Sequence, residues 1–282
     1  MNTLELDKQI RLFLAEDIGQ GDITTEPIFP GNQEGCARFV SREPLVSAGM
    51  NDVGARVFQI VNPAIKVESA VADGMNVEAD EVLLQLRGPV RDLLKGERVA
   101  LNLVQRLCGI ATLTREYVDR VAGLQVRITD TRKTTPGMRM LEKYAVRVGG
   151  GYNHRFNLGD GVLIKDNHIA ASGSISRAVE MVRQYVPHTI RIEVETDTLE
   201  QVRECLDCRV DIIMLDNMTL DMMREAVGLI DGRALVEASG GVNLDTVRNI
   251  AETGVDLISV GRLTHSAQAC DISMELEPDH AG

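Results

Sequence analysis

From about residue 125 onward, short runs rich in apolar and β-branched residues alternate with longer amphipathic segments. Such runs, bounded by polar residues, are typical of parallel strands that are buried on both faces. The chain contains six of them, at residues 126–129, 161–164, 190–194, 211–215, 234–237 and 256–260. Between them, apolar residues recur at helical spacing, as in the segment that ends at Pro187 and in the one that follows a candidate cap at Asn243. The pattern therefore predicts strands and helices in alternation.

The positions of polar residues distinguish the two folds that this alternation allows, an α/β barrel and a doubly wound sheet. Nearly every predicted strand is followed by a polar residue or a glycine, namely Arg132 and Lys133, Lys165, Glu195, Asp216, Ser239 and Gly261. Groups that converge from many strand ends are typical of the mouth of a barrel, whereas a doubly wound sheet concentrates its site at one switch point. The glycines at 149–151 lack the spacing of a dinucleotide fingerprint. Because residues 109–267 fall well short of the roughly 250 that a complete barrel needs, we expect an α/β fold with an incomplete barrel of six or seven parallel strands.

The first part of the chain, residues 1–108, has a different pattern. A short helix at 4–14 is followed by alternating segments at 36–40, 64–68 and 81–86, with turn residues between them. This pattern predicts an N-terminal α+β sandwich domain, in which one or two helices pack on a half-buried sheet. A helical stretch at 97–121, interrupted at Gly109, would join it to the barrel domain at 109–267, and residues 268–282 are a candidate to pack on the first domain.

Composition and charge exclude several classes of protein. The 282 residues carry a formal net charge of −12 and a sequence pI near 4.9, which argues against a nucleic-acid partner. No apolar stretch is long enough to span a membrane and the N-terminus lacks a secretory pattern, so a cytoplasmic location is expected. The five cysteines do not form a disulfide framework. Cys205 and Cys208 form a CxxC without a second pair, and we interpret them as helix-face residues rather than as a metal or redox site.

Within this acidic chain, Lys and Arg outnumber Asp and Glu between residues 129 and 168. The contrast indicates a pocket for a small anion with several charges. Ser239-Gly240-Gly241 follows one late strand and Val260-Gly261 follows the next, where glycine lets backbone N–H groups approach a ligand closely. A helix starting near Asn243 would add the positive end of its dipole. These features favour a phosphate site, although tight turns between strand and helix would use the same residues.

Two carboxylates, Glu195 and Asp216, end consecutive strands and would lie on one side of this pocket. They could hold magnesium, bind ribose hydroxyls or stabilise a developing positive charge, or they could neutralise Lys133 or Lys165 in an ion pair. The cationic side would consist of Arg132, Lys133, His154, Arg155 and Lys165. A further basic set, spaced by four along a helix, is expected to face solvent and comprises Arg139, Lys143 and Arg147.

Several motifs resemble one family over nearly the whole chain. They are EDIGQGDITTE at 16–26, GERVALNLVQRLCGIAT at 96–112, TDTRKTTPGMRMLEKYAV at 129–146 and GGGYNHRFNLGDGVLIKDNH at 149–168, followed by EVETDTLEQ, MLDNM, EASGGV and VGRLTHS. The chain is similar in these segments to the quinolinate phosphoribosyltransferases, also called nicotinate-nucleotide pyrophosphorylases (carboxylating). The resemblance implies a transferase that joins quinolinate to 5-phosphoribosyl 1-diphosphate in NAD biosynthesis, with magnesium, and releases diphosphate and carbon dioxide.

The resemblance also implies roles for individual residues. Quinolinate carboxylates would be held by Arg132, His154, Arg155 and Lys165, with Arg98 contributed by a neighbouring subunit of a homodimer or higher homo-oligomer. Phosphoribosyl diphosphate would contact Lys133, with Glu195 and Asp216 at its ribose and at a magnesium ion held largely through the substrate; these two acids and the two lysines Lys133 and Lys165 are the candidate catalytic residues. The 5-phosphate would be held by Ser239, Gly240, Gly241 and Gly261, and the candidate binding set also includes Thr131, Val260 and Arg262.

Other interpretations remain open at this level. A related phosphoribosyltransferase or pyrophosphorylase could use another acceptor, a Schiff-base aldolase could use lysines at strand ends, and a non-catalytic regulator could bind phosphoribosyl diphosphate without turnover. The cation count around His154, Arg155 and Lys165 favours a dicarboxylate acceptor. Two positions depart from the family pattern, since Arg262 replaces a residue that is usually small and Cys108 stands where Ser is common.

Overall fold

The structure is a computed structural model that describes residues 1–29 and 33–279. It divides into two compact units. Unit 1 comprises Met1–Leu113, Met140–Gly150 and Ala267–Gly282, and unit 2 comprises Thr114–Arg139 and Gly151–Ser266. The segment 140–150, which the sequence pattern groups with the barrel, is thus part of unit 1.

The elements follow one another as helices and strands throughout both units. The helices are α1 (Thr3–Ile18), α2 (Thr25–Ile28), α3 (Arg56–Val61), α4 (Val90–Arg120), α5 (Arg139–Val148), α6 (Asp166–Ser172), α7 (Ile175–Tyr185), α8 (Leu199–Asp207), α9 (Leu220–Ile230), α10 (Val247–Ala251) and α11 (Arg262–His265), with a π-helical turn at Met50–Ala55. The strands are β1 (Glu34–Ser41), β2 (Leu45–Val46), β3 (Lys66–Ala70), β4 (Asn76–Val77), β5 (Val82–Pro89), β6 (Arg127–Thr129), β7 (Val162–Ile164), β8 (Ile192–Thr196), β9 (Ile212–Asp216), β10 (Leu235–Ser239), β11 (Leu257–Ser259) and β12 (Ile272–Pro278).

Unit 1 is built on an antiparallel sheet of four strands in the order β12-β1-β5-β3. The C-terminal strand β12 pairs along the length of β1, with Gly35 opposite Pro278 and Ser41 opposite Ile272. Helix α1 buries Leu6, Ile10 and Leu14, whose spacing of four places them on one helical face. The predicted helix at 4–14 and the predicted strands of this region are therefore confirmed; α1, β1 and β5 are longer than predicted, and β3 lies at Lys66–Ala70 instead of 64–68.

Helix α4 corrects one expectation from the sequence. It runs without a break from Val90 to Arg120, so it begins earlier than predicted and Gly109 does not interrupt it. A β-carbon at position 109 would overlap the backbone carbonyl of Gln268, and this close approach of two backbone segments is the reason for a glycine there. Sequence reasoning took the glycine for a helix breaker because the partner segment lies far away along the chain.

Unit 2 contains six parallel strands in the order β6-β11-β10-β9-β8-β7, and all six predicted runs are among them. Strands β6 and β7 form the two edges of this sheet, and residue Tyr152 makes an isolated parallel bridge to Thr129 on β6. Residues that follow β6 and β7 line one common cavity, as described below, which requires the sheet to curve round. The predicted fold class, an incomplete α/β barrel together with an N-terminal sheet domain, is confirmed.

The interior of the barrel is partly polar. Side chains alternate between the two faces of a strand, so residues two positions apart share a face. On β8 this places Glu193 on the same face as Glu195, and on β10 it places Glu237 on the same face as Ser239. Glu193 and Glu237 are 3% and 2% exposed, so each is buried one layer deeper than the residue that ends its strand.

The structure also describes the cysteines and the apolar character of the helices. All five cysteines are free, and Cys205 is buried on α8 while Cys208 lies at its C-terminal cap. Within residues 1–29 and 33–279, no helix combines the length and apolar character that a membrane span requires.

Candidate active site

A cavity of about 540 Å³ opens at the carboxyl ends of the barrel strands in unit 2. Its walls come from every strand end, which is where barrel enzymes place their functional groups. The lining residues are Thr131, Arg132, Lys133, His154, Arg155, Leu163, Lys165, Glu195, Met214, Asp216, Asn217, Ser239, Gly240, Gly241 and Ser259. The alternation within strands accounts for this set, because Leu163 and Lys165, or Met214 and Asp216, are each two residues apart and share the inner face.

Opposite charges meet across this cavity. Lys165 Nζ donates to Glu195 Oε2 at 2.9 Å, joining the ends of neighbouring strands β7 and β8. The lysine side chain is 47% exposed and the glutamate side chain 18% exposed, so the pair lies at the open wall of the cavity. This pair holds a mobile cation next to an acid, at a point that an anionic ligand can reach.

Two arginines line the cavity on the side that follows β6. Nη1 of Arg132 is buried and has no hydrogen-bond partner among the described residues. The Arg155 guanidinium donates to the carbonyl oxygen of Gly161 at 2.8 Å, and burial, together with the neighbouring Arg132, lowers its pKa from the ordinary value. Two like charges that are partly buried and close together are stabilised by a ligand of opposite charge. This side of the cavity therefore favours an anion with several negative charges.

Asp216 is held by the residue that follows it. Asn217 Nδ2 donates to Asp216 Oδ2 at 2.7 Å, and the Asn217 backbone N–H donates to the carbonyl of Ser239 at 3.0 Å. Asn217 has a φ of +55°, a left-handed conformation that asparagine tolerates better than most residues. The result is a fixed carboxylate that faces the cavity from β9 beside the glycines that follow β10.

A second cavity of about 240 Å³ adjoins the first and shares Thr131, Lys133, Ser239, Gly240, Gly241 and Ser259 with it. Its other walls are Val242, Asn243, Val260, Gly261, Arg262 and His265. Gly240 and Gly241 have φ values of +91° and +64°. A β-carbon at Gly261 would lie 3.0 Å from Lys133 Cδ and 3.2 Å from His265 Nε2, so the absence of a side chain there lets both groups approach. The shape and the backbone N–H groups suit a phosphate.

The helix after this glycine turn begins later than predicted. Asn243 Oδ1 accepts from the backbone N–H groups of Asp245 and Thr246 in a turn, and α10 begins only at Val247. The Asn243 carbonyl nevertheless accepts from the backbone N–H of Val247 at 3.0 Å, so the chain already turns towards the helix at Asn243. The cradle consists of the two glycine turns and the side chains around them.

The basic set on α5 is also different from the prediction. Arg139 donates to Thr134 Oγ1 at 2.9 Å and to the backbone carbonyls of Phe156 and Arg132, so it ties together loops beside the cavity. Lys143 is only 2% exposed. The prediction of a solvent-facing stripe is wrong for these two residues, because helical spacing alone does not reveal which face of a helix is covered.

Below the larger cavity, His154 meets two buried acids. His154 Nε2 lies 3.2 Å from Glu193 Oε2 and 3.6 Å from Glu237 Oε1. Burial and the nearby Glu193 carboxylate raise the pKa of Glu237 to about 7. Neither acid was singled out in the sequence, although each precedes a predicted strand-end residue by two, a spacing that could have revealed them.

The structure brings the predicted residues of unit 2 together. Every one of them lines the larger cavity, the smaller cavity or both; Val260, Gly261 and Arg262 belong to the smaller one. Arg98 is in unit 1, exposed on α4. Sequence reasoning missed Asn217 and His265, which stand within the quoted motifs MLDNM and VGRLTHS but carry no signal of their own.

An incomplete parallel barrel whose strand ends carry both charges beside a glycine-lined cradle defines an enzyme that binds phosphorylated and anionic substrates. Two family models match the chain, the N-terminal domain of quinolinate phosphoribosyl transferase at residues 22–108 and the C-terminal domain at residues 110–275. The chain belongs to the quinolinate phosphoribosyltransferase family, and the predicted resemblance is confirmed.

Individual relatives are similar to this chain over almost its full length. A probable nicotinate-nucleotide pyrophosphorylase (carboxylating) of Bacillus subtilis (strain 168) is 48% identical over 276 residues, which cover 98% of this chain and 95% of the relative. The crystal structure of NadC from Streptococcus pyogenes is 40% identical, with a TM-score of 0.95 and 99% of each chain covered. That of nicotinate-nucleotide pyrophosphorylase from Ehrlichia chaffeensis is 44% identical, with a TM-score of 0.91 and 96% and 98% of the two chains covered.

Proposed function

We propose that this protein transfers the phosphoribosyl group of 5-phosphoribosyl 1-diphosphate to the ring nitrogen of quinolinate. The products are nicotinate mononucleotide, diphosphate and carbon dioxide, and the reaction serves NAD biosynthesis. The observation that carries the proposal is the pairing of a cavity of about 540 Å³, lined by groups of both charges, with an adjoining glycine cradle of about 240 Å³. A dicarboxylate requires the cations, a ribosyl centre that develops positive charge requires the acids, and a sugar phosphate requires the cradle.

The cationic wall is the proposed site for quinolinate. Arg132, with its unpartnered buried Nη1, and Arg155 would bind the two carboxylates, with His154 beside them. Lys165 would complete this set from β7, where it can exchange its bond to Glu195 for a substrate carboxylate. Arginine suits a planar carboxylate and lysine acts as a movable charge.

The phosphoribosyl diphosphate would lie across both cavities. Its 5-phosphate fits the cradle of Ser239, Gly240, Gly241 and Gly261, with Thr131, Val260 and Arg262 around it. Lys133 lines both cavities and can therefore contact the substrate along its length. Glu195 and Asp216 would accept hydrogen bonds from the ribose hydroxyls.

Magnesium fits the same two acids, because carboxylate oxygens at a cavity wall are the hard ligands that this ion prefers. Glu195 and Asp216 would hold it together with substrate oxygens. When bound, the ion would offset negative charge on the departing diphosphate.

In the proposed reaction, the ring nitrogen of quinolinate forms a bond to the anomeric carbon while the bond from that carbon to the diphosphate oxygen breaks. Glu195 and Asp216 stabilise the positive charge that the ribosyl group carries between these events. The ring nitrogen of the adduct is positive, so it stabilises the electron pair left on the adjacent carbon when carbon dioxide leaves. A proton from solvent then completes nicotinate mononucleotide. The protein mainly positions its substrates and offsets their charges.

We further propose a homodimer as the smallest active unit, with Arg98 of one subunit reaching the quinolinate of the other. The support is that Arg98 is exposed on α4, together with the family resemblance. A dimer with two-fold symmetry would use this arginine twice, once for each site.

Product analysis tests the proposal directly. The protein is incubated with quinolinate, phosphoribosyl diphosphate and magnesium, and nicotinate mononucleotide is separated and quantified, with each component omitted in turn. Replacement of quinolinate by nicotinate tests for a related phosphoribosyltransferase, since equal use of nicotinate would contradict a dicarboxylate site. Borohydride reduction in the presence of a carbonyl substrate tests the alternative of a Schiff-base aldolase, since a stable adduct on a lysine would support that reaction.

A further inference from the structure

The acids Glu193 and Glu237 have no part in the reaction described above. They project from β8 and β10 into the barrel interior, one layer below Glu195 and Ser239, and are 3% and 2% exposed. Burying a carboxylate is costly unless it is paired with a donor or a cation. Their common neighbour is His154, which lies within 3.6 Å of both.

Both ring nitrogens of His154 are engaged. Nδ1 accepts from the backbone N–H of Arg155 at 2.7 Å, so the ring proton resides on Nε2. Nε2 is then the donor that faces Glu193 Oε2 at 3.2 Å and Glu237 Oε1 at 3.6 Å. The backbone N–H of His154 donates to Asp130 Oδ1 at 2.9 Å. The ring is thus held from below by the acids while it supports the backbone of Arg155.

The His154 ring also separates two cavities. It lines the substrate cavity and a further cavity of about 270 Å³ that opens near the amino ends of the strands, beside Arg127, Arg191 and Ile212. Glu193 and Glu237 line this lower cavity but not the upper one. Any influence of these acids on a substrate in the upper cavity must therefore pass through intervening residues. His154 and Arg155 are such residues, because they line both cavities.

We propose that Glu193 and Glu237 are positioning residues for quinolinate, which act by holding the His154 ring and, through it, the backbone of Arg155. The proposal rests on the function assigned above, in which His154 and Arg155 form part of the quinolinate site. Because His154 and Arg155 belong to the wall assigned to quinolinate, the two acids should affect the binding of quinolinate more than that of phosphoribosyl diphosphate.

Steady-state kinetics with each substrate varied separately tests this. Glu193→Leu removes the acceptor oxygen 3.2 Å from Nε2, and Glu237→Leu removes the second carboxylate, 3.6 Å away, each at similar volume. We expect the KM for quinolinate to rise about tenfold or more in each variant, because the ring loses a group that holds it in place. The KM for phosphoribosyl diphosphate should change less than about twofold. Glu193→Gln and Glu237→Gln keep an acceptor oxygen and should recover most of the lost affinity. Glu225→Leu, an exposed position on α9, is the matched control.

A double-mutant cycle shows whether the acids act through the histidine. In a His154→Ala background, the Glu193 and Glu237 substitutions should have no further effect on the KM for quinolinate. Additive effects, or equal rises in both KM values, would overturn the inference. So would a stoichiometric divalent ion, found by elemental analysis of the purified protein and lost in Glu237→Gln, because the three side chains would then be its ligands.

The cycle also separates this inference from the proposed function. If His154→Ala leaves the KM for quinolinate unchanged, the assignment of His154 to the quinolinate site fails. If His154→Ala raises it and the leucine variants do not, only the role of the two acids fails. The glutamine variants keep the comparison possible if the leucine variants do not fold.

Discussion

The side-chain oxygen of Asn217 occupies the space that a β-carbon at Gly240 would require. A β-carbon there would also lie 2.9 Å from the backbone nitrogen of Asn217. Because Asn217 donates to Asp216 at 2.7 Å, this contact links the acid that ends β9 to the glycine turn that follows β10. The proposed ribose and phosphate sites are therefore mechanically coupled.

Gly240→Ala is expected to raise the KM for phosphoribosyl diphosphate at least about tenfold while leaving quinolinate binding nearly unchanged. The physical reason is that the new methyl group must displace Asn217, and with it Asp216, at a position where φ is +91°. Substrate binding is measured by kinetics and by calorimetry. Gly232→Ala is the matched control, since φ there is +71° and nothing lies within 4 Å of the added carbon. Equal losses of binding in both variants would indicate a general effect on folding instead.

Lys165→Ala and Glu195→Ala should each lose roughly 2 to 4 kcal/mol of transition-state stabilisation, measured as kcat/KM. Both should remain folded, because an ion pair at an open cavity wall contributes little to stability. Arg224→Ala removes an exposed ion pair to Asp221 on α9 and serves as the control. Turnover near the wild-type rate in either active-site variant would remove that residue from the mechanism.

Stability should depend on pH through Glu237. Burial raises its pKa from 4.5 to about 7 in the folded protein, so the folded state retains a proton that the unfolded chain releases above pH 4.5. Stability is therefore lost as pH rises from about 4.5 to about 7, by on the order of 3 kcal/mol. Glu237→Gln does not titrate and should lack this loss.

Urea unfolding of both proteins between pH 4.5 and pH 8 checks this expectation. The difference in free energy of unfolding should shift in favour of the glutamine variant as the pH rises. A difference that is constant across the range would contradict the assigned pKa. Glu225→Gln, at an exposed position, is the control for the substitution itself.

Gly109→Ala is expected to destabilise unit 1 by about 1 to 3 kcal/mol, the usual cost of forcing an extra carbon into a packed region. The added carbon would overlap the carbonyl of Gln268. Gly228→Ala is the matched helical control, because nothing lies within 4 Å of its added carbon, and alanine there should stabilise α9 by about 0.5 to 1 kcal/mol. Thermal or urea unfolding of the two variants should thus give effects of opposite sign.

The proposed role of Arg98 can be tested by complementation. Arg98→Ala and Lys165→Ala should each be nearly inactive, but co-refolded in equal amounts they should recover about a quarter of wild-type activity. Half of the dimers are then mixed, and each mixed dimer has one site with neither substitution. No recovery, with mixed dimers shown to form by affinity tagging, would place Arg98 in the same site as the Lys165 of its own subunit.

Much of the barrel could be predicted from the sequence because its signals are local. Each of β6 to β11 is a short apolar run, and residues such as Lys165, Glu195 and Asp216 mark the ends of their strands directly. Parallel strands share their carboxyl ends at one edge, so these markers predict a common site without coordinates. The family motifs extend this to individual roles.

Other features could not be predicted because they depend on residues that are distant along the chain. Gly109 looks like a helix breaker until Gln268 is placed against it, and Lys143 looks exposed until its helix face is covered. The bond between His154 and Glu193 and the contact of Asn217 with Gly240 likewise join separate βα units.

The sequence by itself determined which segments become strands and helices and which charges stand at the strand ends, since both follow from the order of neighbouring residues. Only the tertiary structure decided which buried groups meet, because contacts inside the barrel depend on the curvature and register of the whole sheet. Glu193 and Glu237 are the clearest example. In the sequence they are two separate glutamates, whereas in the fold both lie close to His154.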